Sequence, residues 1–255
     1  MEKLIKEKIS SLLADEEEVL SVEQLGGMTN QNYLVKTTNK QYIVKFFGKG
    51  TEKLIDRQNE KYNLELLEDL DLDVKNYLFD IESGIKVNEY IDSATTLDST
   101  SIKTKFEKIA PILQTIHASG KELRGEFAPF EEIKKYESLI EENIPYANYE
   151  AVRKEVFLLE KRLADLGVDR KPCHIDLVPE NFIESPQGRM YLIDWEYSSM
   201  NDPMWDLAAL FLESEFTKQE EDAFLSYYES DKTPVSREKI RIYKILQDTI
   251  WSLWT

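Results

Sequence analysis

The stretch His174-Ile-Asp176-Leu-Val-Pro-Glu-Asn181, with Tyr191-Leu-Ile-Asp194 shortly after it, decides how this chain reads. Between the two, Ser185-Pro-Gln-Gly188 separates runs of strand character at residues 181–184 and 189–194, which predicts a hairpin. A hairpin there brings Asn181 and Asp194 near one another. An amide oxygen beside a carboxylate is a hard-oxygen pair of the kind magnesium prefers. Asp176, on the loop that precedes the hairpin, is left over for a hydroxyl-bearing molecule.

A base followed by two oxygen ligands, in that order along the chain, is the division of labour by which kinases pass a phosphoryl group from ATP to an alcohol. It makes Asp176 the catalytic base and Asn181 and Asp194 the Mg2+ ligands. Each piece alone is weak, because Asp and Asn are common turn formers. The apolar strand that ends in Asp194-Trp195 supplies the specificity. His174 is read as a residue that holds the loop by hydrogen bonds. Only two histidines occur, His117 and His174, so a histidine metal centre is not expected.

Working outward, Tyr42-Ile-Val-Lys45 resembles the strand lysine that kinases place on nucleotide phosphates. Glu60, on the next predicted helix, is expected to hold Lys45 in place. The turn Leu25-Gly-Gly27-Met-Thr29-Asn30-Gln-Asn32 lies between two strands and is expected to cover the phosphates. Its glycines allow close backbone approach, and Thr29, Asn30 and Asn32 add side-chain donors. It is neither G-x-G-x-x-G nor a P-loop. Val87-Asn-Glu89-Tyr-Ile91 is expected to act as a hinge strand offering backbone groups to adenine, with Ile43 in the apolar bed of the ring.

The wider pattern is β-rich first and helical afterwards. Strands are predicted at 19–25, 32–37, 41–47, 76–81 and 85–91, and a helix at 54–70. The polar connector 93–100 is the expected boundary. Helices then follow at 101–117, 129–141, 148–166, 203–212, 218–230 and from 237 onward. The expectation is an α+β, protein-kinase-like, two-lobe fold: residues 1–92 as a small nucleotide-binding lobe and 93–255 as a larger helical catalytic lobe. A cleft between such lobes is a usual place for a ligand.

Composition narrows the partners. The 255 residues carry a net charge of −17, which argues against nucleic acid or an anionic membrane surface. No run approaches the ~18 apolar residues of a membrane span, and the charged start lacks signal-peptide character. The single cysteine, Cys173, permits no internal disulfide, so a reducing, cytoplasmic setting is expected.

These motifs together resemble the choline/ethanolamine kinase branch of the aminoglycoside-phosphotransferase-like superfamily, and most of all bacterial choline kinases of the LicA type. The residues that carry it are Gly26-Gly27-Met-Thr-Asn30, His174-Ile-Asp176 to Asn181, and Ile193-Asp194-Trp195-Glu196-Tyr197 through Asn201-Asp-Pro-Met-Trp205-Asp206. The resemblance implies transfer of the ATP γ-phosphate to choline. It places Trp195, Tyr197, Glu213, Trp251 and Trp254 at the substrate and makes Asp206 a structural anchor. A quaternary ammonium has no N–H, so aromatic faces must hold it. All four tryptophans follow residue 190, and Trp251 and Trp254 share one helix face. Ethanolamine and aminoglycoside kinases would use the same machinery, and an inactive choline-binding module is the alternative of another class. The chain ends at Thr255, where family members continue.

Overall fold

The computed structural model describes residues 2–13, 17–26, 30–48, 50–51, 55–140, 144 and 146–253. They fall into two units: Met1–Thr95 with Ile183–Glu196, and Thr96–Phe182 with Tyr197–Thr255. The chain therefore enters the second unit, returns to the first, and leaves it again.

The first unit is built on an antiparallel sheet of β1 (Val19–Gln24), β2 (Gln31–Thr37), β3 (Gln41–Phe46), β4 (Asn76–Asp80) and β5 (Ile85–Glu89), in the order β1-β2-β3-β5-β4. Alternation along β3 sends Tyr42, Val44 and Phe46 into the core, where they meet Val35, Ile85 and Val87. Helix α1 (Glu2–Ser10) adds Ile5 and Ile9, one turn apart and fully buried. Each such side chain contributes roughly 1.5–3 kcal/mol by leaving water. The other face of β3 carries Ile43 and Lys45. In register, Lys45 stands opposite Asn32 on one side and Lys86 on the other. Like charges directly opposite across strands are destabilising, so this pair of lysines demands nearby carboxylates.

Helix α2 (Arg57–Leu67) supplies one of them. It starts where Asp56 accepts from the N–H groups of Gln58 and Asn59 at 3.0 and 3.1 Å, a side-chain N-cap. The predicted hairpin forms from β8 (Phe182–Glu184) and β9 (Met190–Leu192). Its turn closes through the Gly188 N–H donating to the Ser185 carbonyl at 2.8 Å, with Gly188 at φ +83°, a conformation glycine adopts without steric cost.

The second unit begins within the short strand β6 (Thr95–Thr96) and holds α3 (Phe106–His117), α4 (Pro129–Leu139), α5 (Tyr149–Leu166), α6 (Pro203–Glu213), α7 (Lys218–Tyr228) and α8 (Arg237–Leu253). Every residue of α6 from Pro203 to Phe211 is buried, as expected of a helix apolar on all sides. Asp202 caps it by accepting from Met204 N–H at 3.0 Å, and takes the buried Lys239 ammonium of α8 at 2.7 Å. That pairing ties the start of α6 to α8. No described helix is long and apolar enough to cross a membrane.

Three differences from the sequence expectation stand out. Residues 183–196, expected in the helical lobe, group with the first unit, and the division falls at 95/96 rather than 92/93. The pair of three-residue strands β7 (Lys171–Cys173) and β10 (Ser199–Asn201) was not expected, because strands so short show no periodicity. The expected helix at 54–70 begins at Arg57 and ends in a 3-10 turn, Glu68–Leu70.

Candidate active site

In the second unit, β7 delivers the chain into His174-Ile175-Asp176. Ile175 has φ +78°, a left-handed conformation that a β-branched residue avoids and that costs about 1–3 kcal/mol. Both of its peptide groups are held. Its N–H donates to Asp206 Oδ1 at 2.9 Å, and its carbonyl accepts from the Trp205 indole at 3.0 Å. The His174 N–H donates to Asp206 Oδ2 at 2.8 Å. Asp206 is fully buried on α6, so its two oxygens pin the backbone that presents Asp176. At the end of the loop, Asn181 Nδ2 donates to the Asp176 carbonyl at 2.9 Å. The loop and the Asn181 side chain are thus oriented by the same bond.

In the first unit, Lys45 Nζ lies 2.7 Å from Asp194 Oδ1. Burial would lower the Lys45 pKa, but Asp194 and Glu196 more than offset it and leave the ammonium above its ordinary value. Asp194 itself sits at φ +69°. Beside it runs a buried ionic network. Glu60 accepts from Lys86 at 3.0 Å and from Arg57 at 2.6 Å; Arg57 also reaches Glu196 at 2.9 Å and Asn30 at 3.1 Å. The face of the Arg57 guanidinium lies 4.1 Å from the Phe47 ring centroid. Three carboxylates (Glu60, Asp194, Glu196) thus meet three cations (Lys45, Arg57, Lys86), which is how this face tolerates its charge.

That network corrects the expected role of Glu60. Its carboxylate is committed to Lys86 and Arg57, and Lys45 takes Asp194 instead. The reason is the β3–β5 register, which sets Lys86 directly beside Lys45. Asn30 and Asn32, expected as phosphate donors, have their amide groups directed elsewhere: Asn30 Nδ2 donates to Glu196 at 2.9 Å, and Asn32 Nδ2 donates to the Gly26 carbonyl at 3.0 Å. The first bond joins the ionic network, and the second ties the start of β2 to Gly26. Gly27 and Thr29 lie outside the described residues. Ile43 is half-buried on the Lys45 face. Glu89 N–H donates to the Lys75 carbonyl at 2.8 Å, and the Ile91 carbonyl accepts from Ala94 N–H at 3.2 Å.

The expected substrate residues are divided between the two units. Trp195 belongs to the first unit, is 1% exposed, and donates its indole N–H to the Leu192 carbonyl. It does not present an open face to a cation. Instead it lines a cavity of about 670 Å3 with Tyr191, Tyr77, Phe79, Glu89 and Asp73. Burial pushes the Asp73 carboxyl up to about 7, against the lowering pull of Lys86. Trp205 is likewise core, packed on Phe127 and Tyr243. Tyr197 is half-buried and Glu213 exposed in the second unit, and Trp251 is 36% exposed on α8. Burial, with Glu180 and Asp248 nearby, raises the Glu213 carboxyl above its ordinary value. Asp248 lies one turn before Trp251 on α8. Trp254 lies outside the described residues.

The residues suit magnesium by chemistry. With its nitrogen held on the Asp176 carbonyl, Asn181 would offer its amide oxygen to a cation, and Asp194, in the other unit, would offer a carboxylate oxygen. Both are hard donors, and no sulfur or imidazole is required. Among the described residues, sequence reasoning missed Arg57, Lys86, Glu196, His117 and Tyr228. Only Glu196 carried a signal, through its place in Asp194-Trp-Glu.

A sequence profile of choline/ethanolamine kinases matches residues 22–254. The crystal structure of choline kinase LicA from Streptococcus pneumoniae aligns at a TM-score of 0.95 and 88% identity, covering 100% of this chain and 89% of that one. A crystal structure of LicA in complex with AMP aligns at a TM-score of 0.90 and 89% identity, covering 99% of this chain and 88% of that one. Protein LicA of Haemophilus influenzae is 27% identical over 239 residues, 89% of each sequence.

Proposed function

The chain belongs to the choline/ethanolamine kinase family of phosphotransferases, and from that premise we propose that it transfers the γ-phosphoryl group of ATP to choline, giving phosphocholine. The observation that carries this reading is the loop before Asp176. A strained Ile175 is pinned through both peptide groups, which is a cost a fold sustains where side-chain placement matters to chemistry. Asp176 accepts the proton of the choline hydroxyl as the new O–P bond forms and the bond to ADP breaks. Lys45 serves the nucleotide phosphates, and the AMP complex of a relative supports a nucleotide as one substrate. Asn181 and Asp194 would hold Mg2+, which neutralises charge on the transferring phosphoryl group.

The acceptor is argued from chemistry and likeness. A quaternary ammonium can be held only by faces and by charge, and Tyr197, Trp251 and Trp254 supply the faces. Glu213 and Asp248 add negative charge. The solved relatives that are nearly identical to this chain bear the name choline kinase or LicA, which favours choline over other cationic alcohols. Work in the cytoplasm, where ATP is supplied, fits the single free thiol.

The test is ATP- and Mg2+-dependent phosphorylation of choline, ethanolamine and kanamycin side by side. The reading requires the highest kcat/KM with choline. A preference for ethanolamine or kanamycin overturns the acceptor assignment, and no turnover of any of them overturns the reading as a whole.

A further inference from the structure

Asp206 has a third donor besides the two loop amides. His117, the last residue of α3, places Nε2 3.0 Å from Asp206 Oδ2, and its Nδ1 lies 2.8 Å from the hydroxyl of Tyr228 at the end of α7. His117 and Asp206 are at most 1% exposed, and Tyr228 is fully buried. A carboxylate can only accept, so Nε2 carries the imidazole proton. In the neutral imidazole Nδ1 is then an acceptor, and the Tyr228 hydroxyl donates to it. The bonds form one directed line: Tyr228 to His117, His117 to Asp206, and Asp206 to the amides of His174 and Ile175.

We propose that His117 is a positioning residue for phosphoryl transfer, its imidazole fixed by Tyr228 and in turn fixing the Asp206 carboxylate in the orientation that holds the Asp176 loop. The proposal rests on the reading of Asp176 as the base. Two loop amides alone constrain Asp206 only along one edge. The bond from His117 approaches from α3, a separate element, and sets the rotation of the carboxylate. Without it, Oδ2 loses a buried donor and the strained turn at Ile175 loses part of its restraint.

A different use of the same atoms is a buried metal, since ligand atoms of His117, Cys173 and Asp206 lie within 4.8 Å of one another. The internal bonding argues against it. Both imidazole nitrogens and both carboxylate oxygens already have partners, and burial keeps the Cys173 thiol protonated.

The experiment compares the full chain with His117→Leu, His117→Gln and Tyr228→Phe. Glutamine can set an N–H near the place of Nε2; leucine cannot. One readout needs no substrate: amide hydrogen exchange at His174 and Ile175, set against global stability from urea unfolding. The other is steady-state kinetics with ATP and choline. In His117→Leu, exchange at both amides accelerates beyond the change in global stability, and kcat falls about 10²-fold with both KM values within about twofold. His117→Gln recovers much of both effects, and Tyr228→Phe shows a smaller loss of the same kind. If His117→Leu does not fold, Tyr228→Phe carries the test on its own. Unchanged exchange and kcat in a folded variant overturn the proposal. So does no recovery in His117→Gln relative to leucine, or stoichiometric metal in the purified protein that His117→Leu abolishes. Accelerated exchange in a protein whose wild type does not phosphorylate choline refutes the proposed function and leaves the positioning line standing.

Discussion

Lys45 Nζ is 2.7 Å from Asp194 Oδ1, although the residues are 149 positions apart in the chain. The cation assigned to the phosphates and a carboxylate assigned to the metal neutralise one another within one unit. Removing either takes from the other its nearest opposite charge. Lys45→Met is expected to lower kcat/KM for ATP by about 10²-fold or more, with the choline KM little changed. Lys45→Arg is expected to recover only part, because a planar guanidinium does not reproduce a compact ammonium. Initial rates with each substrate varied in turn check this.

Asp176→Ala is expected to remove turnover while ATP binding, followed by calorimetry, stays within about twofold. Loss of a general base typically costs about 10²–10⁴-fold. Near-normal rates in this variant would sink the assignment of the base.

Asp206→Ala strands two loop amides and an imidazole in a dry interior. The expected loss of stability is about 3 kcal/mol or more, read as a lower urea midpoint. A loss under about 1 kcal/mol, no more than one ordinary hydrogen bond, would contradict the anchoring role.

Asp73 gives a pH signature of opposite sign to most carboxylates. The folded protein keeps its proton up to about 7, whereas the ordinary carboxyl releases it near 3.8. Its contribution to stability is therefore full below about pH 4 and is lost as pH rises toward about 7, at up to ~1.4 kcal/mol per pH unit. Asp73→Asn cannot titrate, so it should gain stability relative to the wild type between pH 5 and pH 8. Urea unfolding at the two pH values reads the difference; parallel behaviour would show that the carboxyl titrates normally.

Trp254→Ala is expected to raise the choline KM roughly 2- to 30-fold, the span of one cation–π contact of ~0.5–2 kcal/mol, with the ATP KM little affected. Equal effects on both substrates would point to a packing role.

The hairpin after Asn181 could be read directly, because Ser185-Pro-Gln-Gly188 allows few alternatives and Gly188 takes the positive φ it suits. The β-rich first part and the helices of the second followed from periodicity. Register did not. Nothing in the local sequence says that Lys86 stands beside Lys45, since β3 and β5 meet only through their pairing in the sheet, and so Glu60 was assigned to the wrong lysine. Trp195 is a related case. It buries its ring and satisfies its indole N–H on a backbone carbonyl, a circumstance that composition cannot distinguish from a cage. His117 gave no signal because its partners arrive from α6 and α7.

The return of residues 183–196 to the first unit has a consequence for dissection of the gene. A fragment ending at residue 95 would keep Lys45 and Arg57 but lose Asp194 and Glu196, the carboxylates that neutralise them. A fragment beginning at residue 96 would carry those carboxylates away from their cations. No single cut yields a self-sufficient module, so transplanting the nucleotide half into another protein requires two separate stretches of coding sequence.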